Sequence, residues 1–232
     1  MSDDSMSTLR PLDATTRRAH GMSISDSSRK VLRNTYALLG LTLAFSALVA
    51  GTAMTLKLPA PGLIVTLAGF FGLMFWVNKT AHKAQGLLAV FAFTGFLGYT
   101  LGPTLSVVLA MPHGSAIVTQ ALGTTALAFL GLSAVALTTK RDFSFMGSFL
   151  MIGSLVAFAL SLGAIFFSIP ALSLAVCALV VMLMSGMILF ETGRIVNGGE
   201  TNYILATVSL YLSLYNLFSA LLALFGMGGN DD

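Results

Sequence analysis

Residues 145–190 read FMGSFLMIGSLVAFALSLGAIFFSIPALSLAVCALVVMLMSGMILF, without one charged side chain. As a single helix this stretch would run about 70 Å at 1.5 Å per residue, more than twice the ~30 Å of a bilayer's hydrocarbon core. Pro170 lies near its middle. Proline lacks a backbone N–H and is tolerated at the start of a helix, not in its interior. The stretch therefore reads as two helices in a tight hairpin, each arm long enough to cross a membrane. Membrane barrels need alternating polar and apolar positions, and these residues do not alternate.

Working outward, the same pattern recurs. Seven apolar runs cover 35–56, 61–77, 86–111, 115–138, 145–169, 171–190 and 203–227. Each is close to the roughly 20 residues that span hydrocarbon as a helix. Lys57 to Pro61, the stretch 78–85 with Lys79, His82 and Lys83, and the turn Pro112-His113-Gly114 separate the early runs. Gly198-Gly199 can end the sixth helix, and Thr201 or Asn202 can cap the seventh. The chain of 232 residues is 56% hydrophobic and only 9% charged. Soluble domains carry roughly a quarter charged residues. With so few polar side chains to face water, a soluble enzyme, a nucleic-acid-binding domain and a disordered chain are excluded. The fold class is all-α: a polytopic integral membrane protein, a bundle of seven transmembrane helices. Residues 1–30, rich in Ser, Asp, Thr and Arg, read as a disordered cytoplasmic tail. Residues 31–228 form the seven-helix domain, and 229–232 a short external C-terminal tail.

Orientation follows from the cations. Arg10, Arg17, Arg18, Arg29, Lys30, Arg33, Lys79, Lys83, Lys140, Arg141 and Arg194 fall on one side, and Lys57 alone on the other. This places the N-terminus in the cytoplasm and, after seven crossings, the C-terminus outside. Trp76 falls at a cytoplasmic edge, where an interfacial aromatic is expected. The lone Cys177 cannot make an internal disulfide.

Few groups here can carry chemistry. Glu191 follows Met187-Ile188-Leu189-Phe190 and is the one acid set in an apolar context away from the membrane edges. Taking a carboxylate out of water disfavours its charged form, which makes Glu191 a candidate pH-sensing residue. The alternative is that it lies among the headgroups and pairs with Arg194, three residues on. In the seventh run Asn202, Ser209, Ser213 and Asn216 are spaced by seven, four and three, so they share a helical face that should point into the bundle. That face either lines a polar path toward Glu191 or serves as hydrogen-bonding glue between helices. Gly98 and Gly102 form a GxxxG with Gly95 before and Pro103 after, a pattern for close helix packing or a kink. No GxxxxGK[ST], HExxH or CxxC is present. His82 and His113 fall in loops, so no buried histidine serves a serine nucleophile. The chain is expected to be no enzyme, with no cofactor and no metal site.

Four strings carry a family resemblance: KVLRNTY at 30–36, VFAFTGFLGYTLGP at 90–103, GGETNYI at 198–204 and SLYLSLYNLF at 209–218. Together they resemble the Bax inhibitor-1/YccA family, closest to its bacterial branch. The resemblance covers roughly 29–225 and implies a last helix surrounded by the six others. It implies two functional expectations. Bacterial members bind and restrain the membrane-anchored ATP-dependent protease FtsH. Other members act as pH-sensitive calcium leaks, gated by a carboxylate on each of the last two helices and a nearby arginine. Carried onto this chain, the first carboxylate falls on Glu191, the second on Ser213 and the following Asn on Asn216, with Arg194 the candidate ion-pair partner. Only one carboxylate is kept. Ser213 can donate a hydrogen bond to Glu191 but cannot hold a second negative charge for a divalent cation, which weakens the leak.

The expected function is therefore a non-enzymatic regulator in the bacterial inner membrane that binds and restrains FtsH, with a pH-sensitive calcium or cation leak as the alternative. Expected partners are the FtsH-type protease with its associated membrane complex and the lipid bilayer. Calcium or protons are the ions of the alternative, and no nucleic acid is expected.

Overall fold

The computed structural model of the chain describes residues 25–139 and 143–228. Most of the expected tail, the C-terminal 229–232 and the orientation markers Lys140 and Arg141 lie outside the described residues. The described residues hold seven helices: α1 Asp26–Thr55, α2 Leu63–Thr80, α3 Gln85–Leu109, α4 Gly114–Thr138, α5 Met146–Phe167, α6 Pro170–Val196 and α7 Tyr203–Gly228. All seven are long and apolar enough to cross a membrane.

One boundary departs clearly from the sequence reading. The first helix starts at Asp26 rather than 35, so residues 26–30 are helix and not tail. Ser25 caps it, its Oγ accepting from the Ser28 N–H at 3.1 Å, with Asp26 in the first turn where the helix dipole favours an acid. Hydropathy could not show this extension, because Asp26, Arg29, Lys30 and Arg33 are polar and exposed. Ser28 is buried and lies beside Gly198, so the extension is held by tertiary contact. At the other ends, His113 and Ser168 adopt left-handed backbone at the α3–α4 and α5–α6 turns, and Pro170 opens α6 at its first position.

Three glycines of α3 set its distance from α1. A Cβ on Gly98 would collide with the backbone carbonyl oxygen of Ser46. One on Gly102 would stand 2.7 Å from the Ala53 Cβ and 2.9 Å from the Ala50 carbonyl oxygen, and one on Gly95 would press on the Phe45 ring. The GxxxG thus seats two helices of one chain. The α1–α3 contact is the most extensive in the bundle. At the same level the Tyr211 hydroxyl of α7 donates to the Thr94 carbonyl of α3 at 3.2 Å and lies 2.6 Å from the Ser46 Oγ. Tyr215 meets Thr100 Oγ1 of α3 at 2.9 Å.

The last helix is the core element. Of its most apolar window 56% is buried, against 11% for α2 and 17% for α5. It packs on α1, α3, α4 and α6. The ring of six implied by the resemblance is not formed: α2 packs on α3, and α5 packs on α6. The reason lies in sequence. α5 presents bulky apolar side chains on most faces, Phe149, Ile152, Leu155 and Phe166 among those exposed, and buries chiefly Leu150, Ala157 and Ala164. Its contact with α6 uses Gly153 under Leu183 and Gly186 under Leu150.

The glycine contacts give a paired expectation. Gly98→Ala costs about 1–3 kcal/mol, because the obstructing atom is backbone and cannot turn away. Gly123→Ala, where nothing lies within 4 Å, is neutral or stabilising by up to about 1 kcal/mol. Unfolding of the two variants in detergent measures the difference, and equal stabilities refute the close-contact reading.

Candidate functional site

The α6–α7 turn builds the main polar cluster. Gly198 takes φ +75, a left-handed conformation that ends α6 and suits glycine. The N–H groups of Gly199 and Glu200 then return to the Arg194 carbonyl at 2.8 and 3.3 Å. This curl brings Glu200 back over the last turn of α6. Arg194 sits there, where a cation is favoured by the helix dipole. Its Nη1 donates to both oxygens of Glu191 at 3.3 Å, and its Nη2 to Glu200 Oε2 at 3.3 Å. Its guanidinium also lies 5.6 Å from the centre of the Phe190 ring. Glu191 is only 5% exposed. It is thus both buried and paired with Arg194, joining the two alternatives that the sequence set apart.

The cluster continues beyond the hairpin. Glu200 Oε1 accepts from the Asn202 N–H at 2.8 Å. Asn202 caps α7, its Oδ1 accepting from the Ile204 N–H at 2.9 Å. Its Nδ2 donates to the Ala81 carbonyl at 2.9 Å and lies 3.3 Å from His82 Nδ1. One chain of hydrogen bonds therefore runs from α6 through the α6–α7 turn to the α2–α3 turn. Sequence reasoning missed Glu200 and His82. The available signal was the Gly198-Gly199 pair, which folds the next residue back onto the helix end.

The rest of the candidate set does not join this cluster. Ser213 is buried at 1% exposure, and its hydroxyl donates to the Ser209 carbonyl of its own helix at 2.9 Å. The expected Ser213–Glu191 hydrogen bond is not formed. Glu191 lies five residues from the end of α6 and Ser213 ten from the start of α7. At 1.5 Å per residue the serine is about 7 Å deeper. Asn216 is exposed, and its Nδ2 donates to the Leu212 carbonyl at 2.9 Å. The seventh-helix stripe therefore divides. Asn202 is a cap, Ser213 faces inward and Asn216 faces outward, because no helix among the described residues covers that side of α7.

Beside Glu191 an open groove of about 650 Å³ runs between α5 and α6, lined by Ser148, Met151, Ser154, Leu155 and Phe190. Its walls are mainly apolar. Among the described residues no three His, Cys, Asp or Glu side chains come together as a metal would require. Chemically, the cluster is a partly sheltered pair of carboxylates sharing one guanidinium. Such an arrangement fixes a helix end and holds an acid at the edge of the apolar layer.

Comparison with known proteins places this architecture. The family model described as inhibitor of apoptosis-promoting Bax1 matches residues 28–230. The chain is 51% identical over 220 residues to the Modulator of FtsH protease YccA of Escherichia coli, covering 95% of this chain and all of that protein. It is 51% identical to an uncharacterized protein of Pseudomonas aeruginosa, over 87% of this chain and 91% of the other. An uncharacterized membrane protein of Vibrio cholerae is 44% identical over 88% of this chain and 92% of its own length. The matched span takes in all seven helices and the Glu191–Arg194–Glu200 cluster, and the chain belongs to the Bax inhibitor-1 family.

Proposed function

We propose that this chain is a non-enzymatic inner-membrane protein that binds FtsH-type membrane protease and restrains its action on other membrane proteins. The observation that carries this reading is the 51% identity, along the full length of the relative, to a protein named modulator of FtsH protease. The body described above is compatible with it. Its first helix is gripped along its length by α3 and tied to α7, so extraction from that end meets the most extensive contact of the bundle. The full-length chain, immobilised in mild detergent, retains FtsH from a bacterial membrane extract. Overproduction slows turnover of a membrane substrate of the protease by several-fold. Unchanged turnover together with no retention refutes the reading.

The orientation is part of the proposal: N-terminus in the cytoplasm, C-terminus in the periplasm. It rests on the cation bias, to which the described Arg29, Lys30, Arg33, Lys79, Lys83 and Arg194 contribute on one side and Lys57 on the other. Reporter fusions at the two chain ends are expected on opposite faces of the membrane, and a shared face refutes seven crossings.

One observation favours a second reading, the pH-sensitive cation leak: a carboxylate 5% exposed at an end of the bundle, held by an arginine. Against it stands Ser213, a neutral group that bonds its own helix. Reconstituted liposomes are expected to pass no more calcium than empty ones. A flux that rises or falls with pH and changes in Glu191→Gln would replace the regulator reading with the leak.

A further inference from the structure

Most hydroxyls within these helices bond a carbonyl about one turn back on their own helix. Thr42 donates to Leu39, Thr80 to Trp76, Thr125 to Ala121, Ser161 to Ala157 and Ser185 to Val181. This is the ordinary local solution where water is scarce. Besides Ser154 in the α5–α6 groove, Thr35, Ser133 and Thr192 depart from it. Their hydroxyl oxygens are buried and have no partner, as is the Tyr36 hydroxyl. Thr35 and Thr192 are 0% exposed and Ser133 is 4% exposed. Each of the three has a carbonyl one turn back and does not use it.

These groups occupy one level of the bundle. Ser133 lies five residues from the end of α4 and Thr192 four from the end of α6, or about 7 and 6 Å along the axes. The Tyr36 ring packs 5.6 Å from Phe129, one turn from Ser133 on the same face of α4. The Thr207 hydroxyl donates to the Tyr203 carbonyl of its own helix at 2.7 Å and lies 3.3 Å from the Thr35 carbonyl, which places α1 against α7 at this depth. The helix α6 packs on α1, α4 and α7. One turn deeper on the same four helices come Leu39, Ile188 and Tyr211 of the main apolar core and Phe129, half-buried against it. The hydroxyl level is thereby closed toward the middle of the membrane.

We propose that Thr35, Tyr36, Ser133 and Thr192 line an internal hydration site, a small cluster of water molecules held between α1, α4 and α6 beside α7. A buried water typically makes about three hydrogen bonds to polar groups that have no other partner. Three helices converging with unused hydroxyls supply such a set. Hydroxyls both donate and accept, so they can share a cluster without any charged residue. The site also gives α6 a wet inner side next to Glu191, whose outer side pairs with Arg194. It does not depend on either functional reading above.

Single cysteines at positions 35, 133 and 192 test it, each in a Cys177→Ala background of the full chain in detergent. The reagent is a small methanethiosulfonate, which needs the thiolate and therefore water at the sulfur. Thr42→Cys and Thr125→Cys are the controls, at positions 0% and 8% exposed whose hydroxyls bond their own helix. Modification is expected at least tenfold faster at the three positions than at the controls. Equal rates overturn the proposal. Melting of Thr35→Val and Thr192→Val gives a second reading that needs no labelling. Removing a hydrated hydroxyl lowers Tm, whereas removing one that is dry and unpaired raises it. A rise in Tm for both variants overturns the proposal as well.

Discussion

The contact between the bare Cα of Gly98 and the Ser46 carbonyl sets the geometry of the bundle. In hydrocarbon, helices gain nothing by hiding apolar surface from lipid, so association rests on close packing and interhelical hydrogen bonds. Gly98 supplies the close packing between α1 and α3. Ser46 also supplies the hydrogen bond. The Tyr211 hydroxyl lies 2.6 Å from the Ser46 Oγ and 3.2 Å from the Thr94 carbonyl. Three helices are thus joined by two side chains and two backbone carbonyls at one level. The helix α7 is placed by this junction, and α4 and α6 pack against α7 in turn. The two outer helices, α2 and α5, add length to the bundle's perimeter and little to its core.

The polar end of the bundle depends on that placement. The α6–α7 turn is a tight reversal, and Gly198 provides it. The reversal sets Glu200 opposite Glu191 with Arg194 between them, and the Asn202 cap then reaches the Ala81 carbonyl. Two carboxyl groups thus share one guanidinium. A buried acid with a partner is tolerated, whereas the same acid without one costs several kcal/mol. The pairing with Arg194 therefore explains how Glu191 stays at 5% exposure without Ser213 beside it.

Much of this was legible in the sequence. Seven spans, the hairpin at Pro170, the turn at Gly198 and a cap at Thr201 or Asn202 follow from hydropathy and backbone chemistry, which are local properties. The polar start of α1 was not legible, because Ser28 is buried by Gly198, some 170 residues away in the chain. The outward Asn216 was missed for a related reason. Spacing shows which residues share a face, but only packing shows whether a face is covered. Glu191 and Arg194 were legible as a pair because they lie three apart on one helix. Glu200 entered through the turn, and the unused hydroxyls of Thr35, Ser133 and Thr192 have no sequence signature at all. A threonine that bonds its own helix and one that does not are written with the same letter.

The unequal grip on the helices bears on how such a body meets a protease that pulls. A pulling enzyme works against the first element it reaches. From the N-terminal end that element is α1, seated on α3 by Gly95, Gly98 and Gly102, hydrogen-bonded to α7 at Ser46 and packed on it at Thr35. Moving α1 breaks all of these contacts together, because they lie along one rigid helix. The helix α5 is the opposite case, attached to α6 by small residues beneath Leu183 and Leu150, with the rest of its surface free. A chain entered through its middle would lose α5 first and keep its core. Under the proposed reading, resistance to extraction is a property of direction as well as of total stability, and the chain places its strongest contact behind its own N-terminus.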